Sequence, residues 1–162
     1  MERKVKILMV CHGNICRSPM AEFILKDMVN NLGLSDQFEI ASAATSAEEI
    51  WNGIGNPVYP PARTELAKHG INCEGKRAVQ MKASDYDKYD YLIGMDSMNI
   101  RNMERITGHK KGDKIYKLLE FAGLEADCRD PWYTSRFDET YKDVVTGCTA
   151  FWECLQKEGK IC

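Results

Sequence analysis

A chain of 162 residues, 44% hydrophobic and 28% charged, has the length and composition of one globular domain with a single core. Its formal net charge of −2 excludes the general attraction that basic proteins have for nucleic acid. No apolar run approaches the roughly 20 residues that span a bilayer, and the run 5–10 behind the charged start Met1-Glu2-Arg3-Lys4 is too short for a secretory signal, so the expected compartment is the cytoplasm, with no membrane partner.

Residues 5–10 read as a buried parallel strand, short, branched and almost wholly apolar. The loop 11–17 follows, and Ser18-Pro19 then resembles a helix start, with Ser18 at the cap, Pro19 at the first helical position and acidic Glu22 in the first turn. Met20, Ile24, Leu25, Met28 and Leu32 keep helical spacing up to Gly33. A second strand is expected at 38–44. The connection 45–61 is too long to be passive, so it is expected to border a site, with Ile50 and Trp51 as candidate walls and plain packing as the other reading of Trp51. A helix over 61–69, an extended piece at 76–82, a third strand at 89–95, a helix at 97–106 and a fourth strand within 114–121 complete the alternation. A loop at 127–133 leads into a long closing helix marked by Phe137, Tyr141, Val144, Cys148, Phe151 and Leu155. Alternating strands and helices call for a single doubly wound α/β domain over 1–162, a parallel sheet with helices on both faces. Ligands in such folds bind beyond the carboxyl ends of the strands, where the loop 11–17 lies.

The chemistry of that loop follows from its residue types. Backbone N–H groups in a curled loop converge on an anion, and the next helix adds its positive end. Gly13 removes a side chain, Asn14 tolerates left-handed backbone angles and can tie the loop across, and Arg17 offers a planar fork of donors for phosphate oxygens. These positive features surround Cys11 and favour its thiolate, and the Ser18 hydroxyl can donate to the sulfur as well. A thiolate beneath an oxyanion cradle suits phosphoryl transfer through a phosphocysteine. Such a reaction needs an acid for the leaving oxygen, and Asp130, beside Pro131, Trp132 and Tyr133, is the best candidate.

The segment Cys11-His12-Gly13-Asn14-Ile15-Cys16-Arg17-Ser18-Pro19, taken with Asp130-Pro131-Trp132, resembles the low-molecular-weight protein tyrosine phosphatases. The resemblance extends to Ala44-Thr45-Ser46 and to Met95-Asp96-Ser97 with Asn99, and covers essentially the whole chain. It implies a cytoplasmic, metal-independent phosphomonoesterase on a four-stranded parallel sheet, flavodoxin-like with strand order 2-1-3-4. Cys11 then matches the nucleophile, Arg17 the phosphate-binding arginine and Asp130 the general acid. Asn14 and Ser18 match the residues that shape the loop, within a phosphate-binding loop that includes His12, Gly13, Ile15 and Cys16. Cys16 matches a second loop cysteine that can form a reversible disulfide with the nucleophile. The substrate implied is a phosphotyrosine protein or a small aryl phosphate, clasped by Trp132 and Tyr133 together with Ile50 and Trp51. A monomer is expected, with weak dimerisation allowed.

His12 departs from the family pattern, and is read either as a surface side chain or as a pH-sensitive neighbour of the site. The connection 45–61 is longer than usual around Trp51-Asn52-Gly53-Ile54. Ile15 stands where the related arginine phosphatases resemble threonine, which favours the tyrosine-directed branch. Three other functions were open to this scaffold. Arsenate reduction would need a close later cysteine pair, whereas Cys73 stands alone. A phosphocarrier would not need Arg17 and Asp130 together, and a non-catalytic anion-binding module would have lost one of Cys11 and Asp130. The seven cysteines, odd in number and irregularly spaced, are read as thiols. Cys11 and Cys16 are too far apart in sequence for a zinc knuckle, so no metal or other cofactor is expected. His69 is read as a hydrogen-bonding residue at a helix end and His109 as a surface loop residue.

Overall fold

In the computed structural model, which describes residues 3–159, four strands form one parallel sheet in the order β2-β1-β5-β6. The central strand β1 (Val5–Cys11) pairs with β2 (Phe38–Ala44) along its whole length, from Val5 opposite Phe38 to Cys11 opposite Ala44. On its other side it pairs with β5 (Tyr91–Gly94), and β6 (Ile115–Lys117) lies beyond β5. Strands β3 (Ile50–Trp51) and β4 (Ile54–Gly55) form a separate small hairpin. Counting only the strands of the main sheet, the order is the expected 2-1-3-4.

Both faces of β1 are buried from Ile7 onward, which explains the apolar run 7–10. Ile7, Met9 and Cys11 enter the larger core, and Leu8 and Val10 the smaller one on the opposite face. The larger core is closed by Met20 and Leu25 of α1 (Arg17–Asn31), Leu66 of α2 (Pro60–Lys68), and Val144, Cys148, Phe151 and Leu155 of α6 (Phe137–Lys157). The smaller core takes Tyr86 from the short α3 (Asp85–Lys88) and Ile100 and Met103 from α4 (Ser97–Thr107). Helices therefore cover both faces, as a doubly wound sheet requires. Within α6, Gly147 is a packing notch, since a Cβ built there would lie 2.3 Å from Leu118 Cγ.

Several local boundaries differ from the sequence reading. Helix α1 begins at Arg17, not after Ser18, because the Cys16 carbonyl already accepts from Met20 N at 3.0 Å. Ser18 and Glu22 are consequently buried within the helix rather than serving its N-terminus. The connection 45–61 contains the β3–β4 hairpin, turned by Asn52 (φ 50°) and Gly53 (φ 77°). Gly55 permits a close crossing by the extended segment 76–82, since a Cβ there would meet the Ala78 carbonyl oxygen. The fourth strand ends at Lys117, and residues 118–122 form a 3-10 turn. The expected loop at 127–133 holds a helical turn, α5 (Pro131–Thr134), with Asp130 as its cap. Among the described residues Cys11, Cys16, Cys73, Cys128 and Cys148 are free thiols, and no helix is long and apolar enough to cross a membrane.

Candidate active site

The carboxyl end of β1 opens into a cleft of about 590 Å³ lined by the loop 11–17 and by side chains from three other segments. Cys11 closes its floor. Its Sγ lies 3.0 Å from Ser18 Oγ and accepts the Asn14 backbone N–H at 3.3 Å. The left-handed backbone of Asn14 (φ 59°) aims that N–H inward. Outside the loop, Thr45 N donates to the Cys11 carbonyl, Ser46 N to the His12 carbonyl and Tyr59 N to the Ile15 carbonyl.

The Asn14 side chain, only 1% exposed, ties the loop to its surroundings. Its Oδ1 accepts from Val79 N at 3.0 Å, which fixes the amide orientation. Its Nδ2 therefore donates to Ser18 Oγ at 2.8 Å and to Ser42 Oγ at 2.9 Å. Since Ser18 Oγ accepts from Asn14, its own proton is available for the sulfur. Ser42 in turn donates to Glu22 Oε1 at 2.5 Å, and Lys76 Nζ reaches the Ser42 carbonyl at 3.0 Å and Glu22 at 3.6 Å. Burial pulls the Lys76 ammonium below the ordinary lysine range, while adjacent Glu22 opposes that pull. A polarised chain thus runs from a buried carboxylate through two hydroxyls and an amide to the thiol. Ser42, Glu22 and Lys76 escaped the sequence reading because they come from three separate segments. Glu22 and Ser42 are polar residues in stretches that otherwise read as apolar, and Lys76, in a polar stretch, carried no such signal.

Arg17, 4% exposed, reaches from the first turn of α1 to two carboxylates. Its Nη1 donates to Asp96 Oδ2 at 2.7 Å and to the Cys128 carbonyl at 3.2 Å, and its Nη2 lies 3.5 Å from Asp130 Oδ2. Burial works against the guanidinium charge, but Cys11, Asp96 and Asp130 outweigh it and hold Arg17 above its ordinary pKa. Asp96 is itself fixed as the cap of α4, accepting from Asn99 N at 2.7 Å. Asp130 accepts from Trp132 N at 3.0 Å through its other oxygen. The Cys16 thiol is pushed up to about 12, first by burial and then by the neighbouring Cys11 and Asp130.

The rim is different in kind. Trp132 and Tyr133 line one side and are 65% and 85% exposed; the Trp132 ring leans on Tyr59 with centroids 5.7 Å apart. Glu48, Glu49 and Met98, none of which the sequence singled out, also line the cleft. Ile50 and Trp51 do not line the cleft: they sit on the β3–β4 hairpin, where Trp51 is 79% exposed. Asn56 Nδ2 holds Glu49 at 2.9 Å, and the Glu49 stem lies over Gly13. His12 also lines the cleft, half-exposed and paired with Glu48 at 2.9 Å, and is not among the hydrogen-bond partners of the sulfur. The remaining histidines are held by aromatic rings: His69 stacks on Tyr141 and meets Glu65 at 3.2 Å, and His109 stacks on Tyr86.

A buried thiol, a forked cation and a carboxylate now share one cleft at a strand end. A family model described as "Low molecular weight phosphotyrosine protein phosphatase" matches residues 6–161. The chain belongs to that family. Its members are hydrolases of phosphoric monoesters. It is 36% identical over 159 residues to the low molecular weight protein-tyrosine-phosphatase YfkJ of Bacillus subtilis, covering 97% of this chain and 99% of the relative. The crystal structure of YfkJ superposes with a TM-score of 0.89, over 97% of this chain and 98% of that one. The structure of SP-PTP, a low molecular weight protein tyrosine phosphatase from Streptococcus pyogenes, is 39% identical with a TM-score of 0.81, over 93% of each chain.

Proposed function

We propose that this protein hydrolyses phosphotyrosine monoesters through a phosphocysteine on Cys11, with Asp130 as general acid and then general base. The observation that carries the reading is the convergence on one sulfur: Cys11 Sγ receives Ser18 and Asn14, while Arg17 and Asp130 stand in the same cleft. In the first step Sγ attacks phosphorus, the S–P bond forms and the P–O bond to the aryl group breaks. Asp130, in its acid form, protonates the departing oxygen. Arg17 and the loop N–H groups hold the equatorial oxygens, where charge develops. In the second step Asp130 takes a proton from water as the water oxygen attacks phosphorus. The S–P bond breaks, inorganic phosphate leaves, and Ser18 steadies the returning thiolate.

Trp132 and Tyr133 offer exposed aromatic faces to the ring of the substrate. Ile15, with no hydroxyl for a phosphoguanidinium, supports phosphotyrosine over phosphoarginine as substrate. The seven cysteines, odd in number and irregularly spaced, support a cytoplasmic setting. The test is turnover of p-nitrophenyl phosphate without added metal at mildly acidic pH. It is followed by a panel of phosphotyrosine, phosphoserine and phosphoarginine substrates, in which phosphotyrosine is expected to be preferred. Absence of turnover, or preference for another member of the panel, overturns the assignment.

A further inference from the structure

Residue 129 is fastened more firmly than its exposed loop requires. The carboxylate of Asp143 on α6 accepts three hydrogen bonds from it: backbone N–H at 2.9 Å, Nε at 3.0 Å and Nη2 at 2.9 Å. Glu139, one turn earlier, accepts from Nη1 at 2.7 Å, and Thr140 Oγ1 donates to the Arg129 carbonyl at 2.7 Å. Both backbone groups of Arg129 and its guanidinium are thus bound to the closing helix directly before Asp130. After the segment 130–135, Arg136 pairs with Asp138 at 2.9 Å and with the second oxygen of Glu139 at 3.3 Å. Glu139 is shared by the residues that enter and leave the segment carrying Asp130, Trp132 and Tyr133. At the far end of that segment Ser135 holds a left-handed backbone (φ 58°), which a non-glycine residue keeps only where its surroundings impose it.

We propose that Asp143 is a positioning residue for Asp130. By fixing both ends of the residue 129 backbone frame, with Thr140, it sets where the Asp130 carboxyl stands in the cleft, and Glu139 completes the bracket from the other side. The inference rests on the acid role proposed for Asp130. A proton donor must lie within hydrogen-bond reach of the leaving oxygen, and an exposed segment holds that placement only when anchored. The Asp143 side chain is 16% exposed, so its pairing with Arg129 is less open to screening than a fully solvated pair.

The test reads kcat/KM for aryl phosphates running from p-nitrophenyl to phenyl phosphate, with folding checked by circular dichroism. Asp130→Ala is expected to steepen the dependence on leaving-group basicity. Asp143→Ala is expected to steepen it in part, raising the ratio of p-nitrophenyl to phenyl phosphate turnover about tenfold. Asp143→Asn, which keeps one acceptor oxygen for the backbone N–H, should fall between Asp143→Ala and wild type. Arg129→Gln loosens the same clamp from its exposed side and serves if Asp143→Ala does not fold. A steeper slope in Asp130→Ala with a wild-type slope in the clamp variants overturns the positioning role and leaves the acid role standing. A uniform loss across all esters in the clamp variants also overturns it, because that is what a merely structural contact would produce. An unchanged slope in Asp130→Ala overturns both.

Discussion

The floor and the rim of the cleft follow opposite rules. On the floor Asn14, Arg17 and Ser18 are almost completely buried, and their polar groups are tied to Ser42, Val79, Asp96 and the Cys128 carbonyl. At the rim Trp132 and Tyr133 are mostly exposed, with little holding their rings beyond the lean of Trp132 on Tyr59. On the proposed function, the difference separates two tasks. Stabilising charge on a phosphoryl group needs donors already in place, so the floor is rigid and desolvated. Meeting an incoming aromatic ring needs apolar surface left uncovered, so the rim keeps its aromatics in solvent.

If that division holds, substitutions should lose activity at the floor and selectivity at the rim. The largest effect is expected for Cys11→Ser, which should cut turnover by about 10⁴-fold or more while phosphate binding persists. Phosphate titration by calorimetry beside p-nitrophenyl phosphate kinetics checks this, and retained turnover would remove Cys11 as the nucleophile. Next comes Asn14→Ala, which forfeits the side-chain bonds of Asn14 and places a Cβ residue at positive φ. It should cost about 3 kcal/mol in urea unfolding. Asn14→Gly should recover the backbone part but not the bonds, so a glycine variant as stable as the wild type would count against the network.

A third expectation concerns the two loop cysteines. Because Cys16 is pushed up to about 12, it stays a thiol across the physiological range, and iodoacetate should label Cys11 first at neutral pH, as read by mass spectrometry. Peroxide inactivation should reverse with added thiol in the wild type and less completely in Cys16→Ser, where the protecting partner is gone. Equal recovery would show that Cys16 does not protect. The smallest effect belongs to the rim: Trp132→Ala should raise KM for aryl phosphates about fivefold, whereas Trp51→Ala on the hairpin should leave it near wild type. A larger effect at Trp51 would move the hairpin into the recognition surface.

The sheet was legible because burial on both faces writes itself as an apolar run, here residues 7–10. The spacing of Cys11, Arg17 and Ser18 was legible because one short loop carries all three. Ser18 misled, since a hydroxyl before proline reads as a helix cap, yet here it serves the thiol and the helix begins at Arg17. Asn52-Gly53 is a hairpin signal, but its flanking strands of two residues each show no alternation. What holds them is the crossing at Ala78, a tertiary contact invisible in one dimension. The same holds for Glu22, Ser42 and Lys76, which meet only because α1, β2 and the segment 76–82 stack behind the loop. Trp51 was a reasonable wall on composition, and the hairpin carries it away from the cleft.

The notch at Gly147 reverses an ordinary engineering rule. Replacing an interior helical glycine by alanine usually gains about 1 kcal/mol from helix propensity. In α6 the added methyl would arrive 2.3 Å from Leu118 Cγ, so Gly147→Ala should instead destabilise by about 1–3 kcal/mol, measurable as a lowered urea midpoint. A thermostabilisation campaign guided by propensity alone would choose this site early and lose by it. The absent side chain is the socket into which the turn after the edge strand plugs.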